Sequence, residues 1–364
     1  VIPLCVPEIR GNEWKYVKEC LDTAWVSYAG GFVSLFEERF AAYIGADHAV
    51  AAMNGTAALH LALVALGIGP GDEVIVPTLT FVAPVNAVTY TGATPVFVDA
   101  EERTWNMEVR LVEEKITGKT RAILPVHLYG HPVDLDPLLE IAGKYGLYIV
   151  EDASESLGAG YRGKNVGAVG DAGCFSFNAN KLITTGGGGM LVTNNAALAE
   201  KARFLSSQAK APGAAYFHPD IGYNYRMTNV QAAMGLAQLE QIEDYLKAKR
   251  ANALLYDTQL AEVKGIVRPL EEDWAVHSYW LYSVLVDGCP LSRDELMMKL
   301  ADAGIESRPF FLPIHSLPPY RDRHCGDFPA AGRLSGQGLN LPSSVSLKEE
   351  EILRVCRKLK ELTG

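Results

Sequence analysis

The chain has 364 residues, 48% of them apolar, enough to bury a large core and to suggest about two domains at roughly 100–200 residues each. Its formal charge of −10, with no basic block, argues against electrostatic nucleic-acid binding but leaves room for a small anion held by local donors. No run of about 20 apolar residues offers a membrane span, and Val1-Ile2-Pro3 carries no charged leader before an apolar run. Cys5, Cys20, Cys174, Cys289, Cys325 and Cys356 form no CxxC pair, and no HExxH occurs. Neither a disulfide framework nor a metal site is expected; a reduced, cytoplasmic setting is.

In chain order, Val33, Leu35, Phe36, Phe40, Tyr43 and Ile44 approximate helical spacing and stop at Gly45. A second helix is predicted over Thr56–Leu66, stopping at Gly67. Short β-branched runs follow at Val74–Val76, Val96–Val98, Ala122–Leu124 and Tyr148–Val150, separated by helical stretches such as Asp136–Tyr145. This alternation predicts an α/β domain with a mostly parallel sheet. Ligands bind outside the carboxyl ends of such strands, which here carry Thr78, Thr80, His127 and Asp152. One long amphipathic helix is predicted over Asn229–Arg250, a strand over Tyr279–Val286 and a helix over Arg293–Ala303. The fold expected is α/β: a large domain over residues 1–245 and a smaller C-terminal α+β domain over 246–364.

The chemistry concentrates between residues 151 and 189. Glu151-Asp152-Ala153 ends an apolar strand, and Phe175-Ser176-Phe177-Asn178-Ala179-Asn180-Lys181 sits in a segment of little charge, before the glycines Gly186–Gly189. Dry surroundings weaken a lysine's preference for its charged form. The free amine is the nucleophile that a Schiff base with pyridoxal 5'-phosphate (PLP) requires. A carboxylate at the pyridine nitrogen keeps that ring a strong electron sink, a task suited to Asp152 at a strand terminus. Each feature alone has a plainer reading: a helix cap for Asp152, a solvated lysine, a glycine turn. Upstream, Asn54-Gly55-Thr56 leads into an apolar helix. Gly55 lets backbone approach an anion, Thr56 and Ser176 offer hydroxyls, and the helix N-terminus offers free N–H groups. Alone, this too is an ordinary N-cap.

Together, in this order, the segments resemble the DegT-type nucleotide-sugar aminotransferases, a branch of the fold-type I PLP enzymes. The likeness covers nearly the whole chain. It is carried by Asn54-Gly55-Thr56, Gly71-Asp72-Glu73-Val74 through Pro77-Thr78, Phe97-Val98-Asp99, Val126-His127-Leu128-Tyr129-Gly130, Glu151-Asp152-Ala153, Phe175-Ser176-Phe177 with Lys181, Gly186–Gly189 and Gly222–Thr228. The resemblance implies that Lys181 forms the Schiff base with PLP and shuttles the proton, while Asp152 pairs with the pyridine nitrogen. It implies a phosphate held by Gly55, Thr56 and Ser176, with Phe81 against the ring. It also implies that Asn224 reaches the cofactor of a neighbouring subunit, hence a homodimer with active sites at the subunit interface. One departure is Glu155, where the family often has glutamine near the cofactor 3′-oxygen. A protonated carboxyl would donate there as the amide does; an ionised one would repel the phenolate.

The implied substrates are L-glutamate as amino donor and a nucleotide-linked keto-sugar, for surface polysaccharide or glycan biosynthesis. Candidate sugar and nucleotide contacts are Tyr28, Asn178, Asn180, Tyr279 in the run His277-Ser278-Tyr279-Trp280, Arg308, His315 and Tyr320, through stacking, hydroxyl and amide bonds, and a bidentate guanidinium. Core or interface packing is the plainer role for any one of the aromatics. The run Asn178–Gly189 resembles enzymes that aminate UDP-linked 4-keto-6-deoxy-2-acetamido sugars. Glu306–Phe311, with His315 and Leu317-Pro318, resembles GDP-perosamine synthases. The UDP substrate is the main expectation and GDP-4-keto-6-deoxymannose the alternative; both readings place the amine at C4. A dehydratase on the same scaffold would typically carry histidine for lysine. A non-catalytic PLP- or sugar-binding regulator would be expected to lack Lys181 or Asp152. Both residues are intact.

Overall fold

Seven strands form the main sheet of this computed structural model, which describes residues 1–213, 216–321 and 326–364. Their spatial order is His48–Ala52, Gly189–Thr193, Ala172–Ser176, Tyr148–Asp152, Thr120–Ile123, Glu73–Pro77 and Thr94–Val98. Gly189–Thr193 runs antiparallel to both neighbours and the other pairings are parallel. The sheet is thus mixed but mostly parallel, as predicted. Its strands read as continuous apolar runs because both faces are covered. Val74, Val76, Ala122, Leu124 and Val150 enter the core on one side. Ile75, Val98, Ile123 and Ile149, out of phase by one residue, enter the core on the other.

The helix Gly55–Ala65 is apolar on nearly every side and correspondingly buried. Asn54 caps it, its side-chain oxygen accepting from the Ala57 amide at 2.8 Å. The predicted helix before Gly45 is Gly31–Ile44, closed by Gly45 in the left-handed conformation (φ 82°).

The helix expected over Thr56–Leu66 is shifted by one residue, to Gly55–Ala65, and three elements further along the chain also differ from expectation. Asn229–Arg250 is two helices, Asn229–Leu239 and Ile242–Leu260, the second running on past Arg250. The break at Glu240-Gln241 carries no proline or glycine; it is held by tertiary contacts, the Glu240 carboxylate accepting from Asn12 and from the Tyr16 hydroxyl, both at 2.7 Å. The strand expected from Tyr279 begins at Tyr282, because Tyr279 itself turns left-handed (φ 50°). The helix Arg293–Asp302 ends one residue before Ala303.

A second sheet, ordered Ile266–Val267, Tyr282–Val286, Gly338–Leu341 and Arg308–Pro309, packs with the helices Arg293–Asp302 and Glu349–Thr363 around its own core. Residue 245, the expected domain limit, falls inside the helix Ile242–Leu260. That helix serves both cores: Ile242, Tyr245 and Leu246 pack on the main sheet, and Ala253, Tyr256 and Leu260 on the second. Cys5, Cys20, Cys174, Cys289 and Cys356 carry free thiols, and Cys325 lies outside the described residues. Among the described residues no helix is long and apolar enough to cross a membrane.

Candidate active site

The parallel register of Tyr148–Asp152 beside Ala172–Ser176 sets Asp152 opposite Cys174 and brings Asp152 and Ser176 to one rim of the sheet. Onto that rim packs the start of Gly55–Ala65. A Cβ at Gly55 would lie 2.8 Å from the Ser176 Cβ and 3.2 Å from the Ser154 hydroxyl, so close approach requires glycine there. The result is a cavity of about 400 Å³. Its wall unites ten sequence-predicted residues: Gly55, Thr56, Phe81, Asp152, Glu155, Ser176, Asn178, Asn180, Lys181 and Arg308. Phe81 is 53% exposed with its ring 5.6 Å from Phe311, a wall position rather than a core one.

Charge in this cavity is out of balance with its burial. Lys181 follows a turn in which its amide donates to the Asn178 carbonyl at 3.0 Å. Its Nζ lies 3.6 Å from the centre of the Trp280 ring and 3.8 Å from Glu155 Oε1. Burial lowers the proton affinity of this amine, and the nearby carboxylates of Glu155 and Asp152 oppose the shift only in part. Burial likewise raises Asp152, against the Ser154 hydroxyl and the Ser154 amide donating at 3.0 Å. Glu155 is pushed up to about 7, chiefly by burial, although Lys181 and the Tyr129 amide, which donates at 3.0 Å, hold it down. Near neutral pH Glu155 is therefore protonated in part, which lessens the repulsion expected of a carboxylate beside a phenolate.

A pH dependence follows. Glu155 is raised in the folded chain, so its ionisation costs stability as pH climbs from its ordinary value, about 4.3, toward 7, and the loss stays constant above that. Glu155→Gln in the cofactor-free chain is expected to be more stable than wild type at pH 8, by about 3–4 kcal/mol, and equal to it near pH 4. Thermal melts at the two pH values read this directly; an equal difference at both would refute it.

Beneath the rim, Glu151 and His127 form a fully buried pair at 2.9 Å. His127 Nδ1 accepts from the Val133 amide at 3.0 Å, which leaves the proton on Nε2, toward Glu151. Burial alone would raise Glu151, but His127 and the amides of Gly167 and Gly170 hold it below its ordinary value. The carboxyl end of the strand is thereby fixed where Asp152 leaves it.

The donor set fits PLP. Asp152, a buried carboxylate that forms no close ion pair among the described residues, suits a protonated ring nitrogen. The helix N-terminus, Thr56 and Ser176 match a phosphate. Two buried polar atoms of the cavity wall, Thr80 Oγ1 and Asn180 Oδ1, have no hydrogen-bond partner among the described residues and are free to bond a ligand.

Five sequence-predicted residues are not brought to the cavity wall. Tyr28 is exposed, with the Arg226 guanidinium 5.8 Å from its ring centre. Asn224 is exposed and bridges Ser207. The Tyr279 hydroxyl donates to Glu271 at 3.2 Å, facing away from the site. His315 bonds Thr78 at 2.6 Å, and the buried Tyr320 donates to Asn86 at 2.5 Å. The left-handed turn at Tyr279 delivers its neighbour Trp280 to the site instead. Residues missed as site residues are Thr80, Ser154 and Asn340. Thr80 at a strand end and Ser154 beside Asp152 carried a signal in their positions; Asn340 carried none.

The fold matches that of S. venezuelae DesV with a TM-score of 0.92 at 38% identity, covering 97% of this chain and 94% of that one. It matches the PLP form of Spr1654, a putative sugar aminotransferase from Streptococcus pneumoniae, with a TM-score of 0.94 at 30% identity, covering 100% and 98%. Fold and cofactor chemistry define a PLP-dependent fold-type I aminotransferase. The chain belongs to the DegT/DnrJ/EryC1/StrS aminotransferase family, whose pattern matches residues 7–360. It is 48% identical over 363 residues to the GDP-perosamine synthase of Caulobacter vibrioides, covering 99% of this chain and 98% of that one. It is 46% identical to the GDP-perosamine synthase of Escherichia coli O157:H7 and 43% identical to that of Vibrio cholerae, covering 99% of this chain and 98% of each.

Proposed function

We propose that this enzyme moves the amino group of L-glutamate to C4 of GDP-4-keto-6-deoxymannose, giving GDP-perosamine for surface polysaccharide. The observation that carries this is full-length similarity to GDP-perosamine synthases from three organisms. The UDP-linked 2-acetamido sugar, the main expectation from residues 178–189, gives way to the alternative read from Glu306–Phe311.

PLP, when bound, supplies the carbonyl that takes up the amine and the ring that spreads negative charge from Cα. The chain's own residues do the rest. Gly55, Thr56 and Ser176 hold the phosphate, Phe81 lies on the ring face and Asp152 faces the ring nitrogen. Glu155, in its protonated form, donates toward the 3′-oxygen. Lys181 Nζ, of lowered proton affinity, accepts the α-proton of glutamate and delivers a proton to the sugar carbon in the return half. Asn178, Asn180 and Arg308 read the sugar hydroxyls and the diphosphate at the mouth. Asn224, exposed here, reaches the cofactor of a second copy in a homodimer, and the setting is the reducing cytoplasm.

The test is a panel of GDP-, UDP- and dTDP-linked 4-keto-6-deoxy sugars with glutamate, scored by mass spectrometry. The GDP-mannose derivative is expected to lead in kcat/KM by about 10²-fold or more, the cost of a mismatched polar contact or two. A lead for the UDP-linked 2-acetamido sugar would overturn the choice of nucleotide. Absence of amino-sugar from every member would overturn the reaction.

A further inference from the structure

One buried cation has no place in the chemistry above. Lys249 lies on the helix Ile242–Leu260 and is 3% exposed. Its Nζ donates to the carbonyl of Trp280 at 2.8 Å and to that of Ser343. Among the described residues no carboxylate pairs with it. A buried ammonium without a counter-charge is costly, and an apolar side chain would fill the same space. What offsets that cost is the position of the two carbonyls.

Both lead to the site. The Trp280 ring faces Lys181 Nζ, and its indole N–H donates to the Asn180 carbonyl at 2.7 Å, so one side chain grips both the amine and the turn that presents it. Trp280 follows the left-handed Tyr279, in a bend pressed so close to Gly130 that a Cβ there would lie 2.9 Å from the Tyr279 and Trp280 amides. Such a bend needs a fixed end. Ser343, the other carbonyl, donates its amide to the Leu4 carbonyl at 2.7 Å, and Leu4 is also cavity wall.

We propose that Lys249 is a positioning residue for transamination: by clamping the Trp280 and Ser343 carbonyls it holds the Trp280 ring against the Lys181 amine. The clamp sets the electrostatic surroundings of that amine from outside the cavity. The titratable groups that also face Lys181 are Glu155 and Asp152 from the strand end and Cys5 from the N-terminal segment; Lys249 faces Cys5 alone. An ammonium over an indole face is favoured relative to the neutral amine. Releasing Trp280 therefore lowers the proton affinity of Lys181 further.

This rests on Lys181 as the reacting amine, but the test reads proton affinity rather than turnover, so the two fail separately. In the full-length chain stripped of cofactor, Lys181 is acylated with an amine-reactive reagent across a pH series, and the peptide that contains it is quantified by mass spectrometry. Lys249→Met is expected to lower the labelling midpoint by about half a unit to one unit. Trp280→Leu should do the same, and the double variant no more than either. A drop in melting temperature with an unchanged midpoint in Lys249→Met would make the residue merely structural and overturn the proposal. Should Lys249→Met not fold, Trp280→Leu decides: an unchanged midpoint overturns the proposal and a lowered one supports it.

Discussion

Lys181→Ala is expected to abolish amino-sugar formation, with a fall in turnover of about 10³–10⁴-fold or more. Proton transfer by a positioned group contributes about 10²–10⁴-fold, and the nucleophile is lost with it. The geometry supports an effect of this size because no other amine lines the cavity among the described residues. Arg308 is there, but a guanidinium does not give up its proton. The fold should survive, since Lys181 sits in a turn at the cavity rather than in a strand or helix of either core. Product formation by the variant, measured beside its melting temperature, separates the two outcomes. Retained turnover in a folded variant would remove Lys181 from the mechanism.

Asp152→Asn is expected to act in opposite directions on stability and on cofactor binding. Asp152 is 4% exposed and burial raises its pKa, so in the cofactor-free chain its ionisation costs stability. That cost grows as pH rises from the ordinary aspartate value, about 3.9, through the raised one, and is absent in more acidic solution. The cofactor-free Asp152→Asn variant should therefore melt higher than wild type at neutral pH. With PLP bound the sign reverses, because the protonated ring nitrogen loses its buried counter-charge. Breaking a buried pair costs about 3–5 kcal/mol, equivalent to PLP held roughly 10²–10⁴-fold more weakly. Equilibrium dialysis of PLP and melts of the stripped chain check the two halves. Unchanged cofactor affinity would place the ring nitrogen elsewhere.

Much of this was legible in the sequence where local pattern and tertiary structure agree. Val74–Val76 and Tyr148–Val150 read as strands because a sheet covered on both faces wants unbroken apolar runs, and the chain has them. Asp152, Ser176 and the Gly55-Thr56 turn were legible because strand ends and helix starts are where an α/β sheet leaves polar groups free. What escaped was decided at a distance. The break at Glu240 comes from contacts with Asn12 and Tyr16, far away in sequence. In the run His277–Trp280 the sequence left open which ring reaches the cavity; one left-handed residue decides for Trp280 over Tyr279, and a tyrosine there gives no sign of it. Tyr320 and His315 carry functional groups that a sugar site would use, yet their partners, Asn86 and Thr78, belong to the protein.

An amino group is expected to pass from glutamate to a nucleotide-linked sugar within this cavity. The direct measurement supplies the purified holoenzyme with α-¹⁵N-labelled glutamate and GDP-4-keto-6-deoxymannose and weighs the sugar product. The expected product is a GDP-amino-sugar one mass unit heavier than that made from unlabelled glutamate, with 2-oxoglutarate formed in equal amount. Unchanged keto-sugar, or an amine without the label, would contradict it.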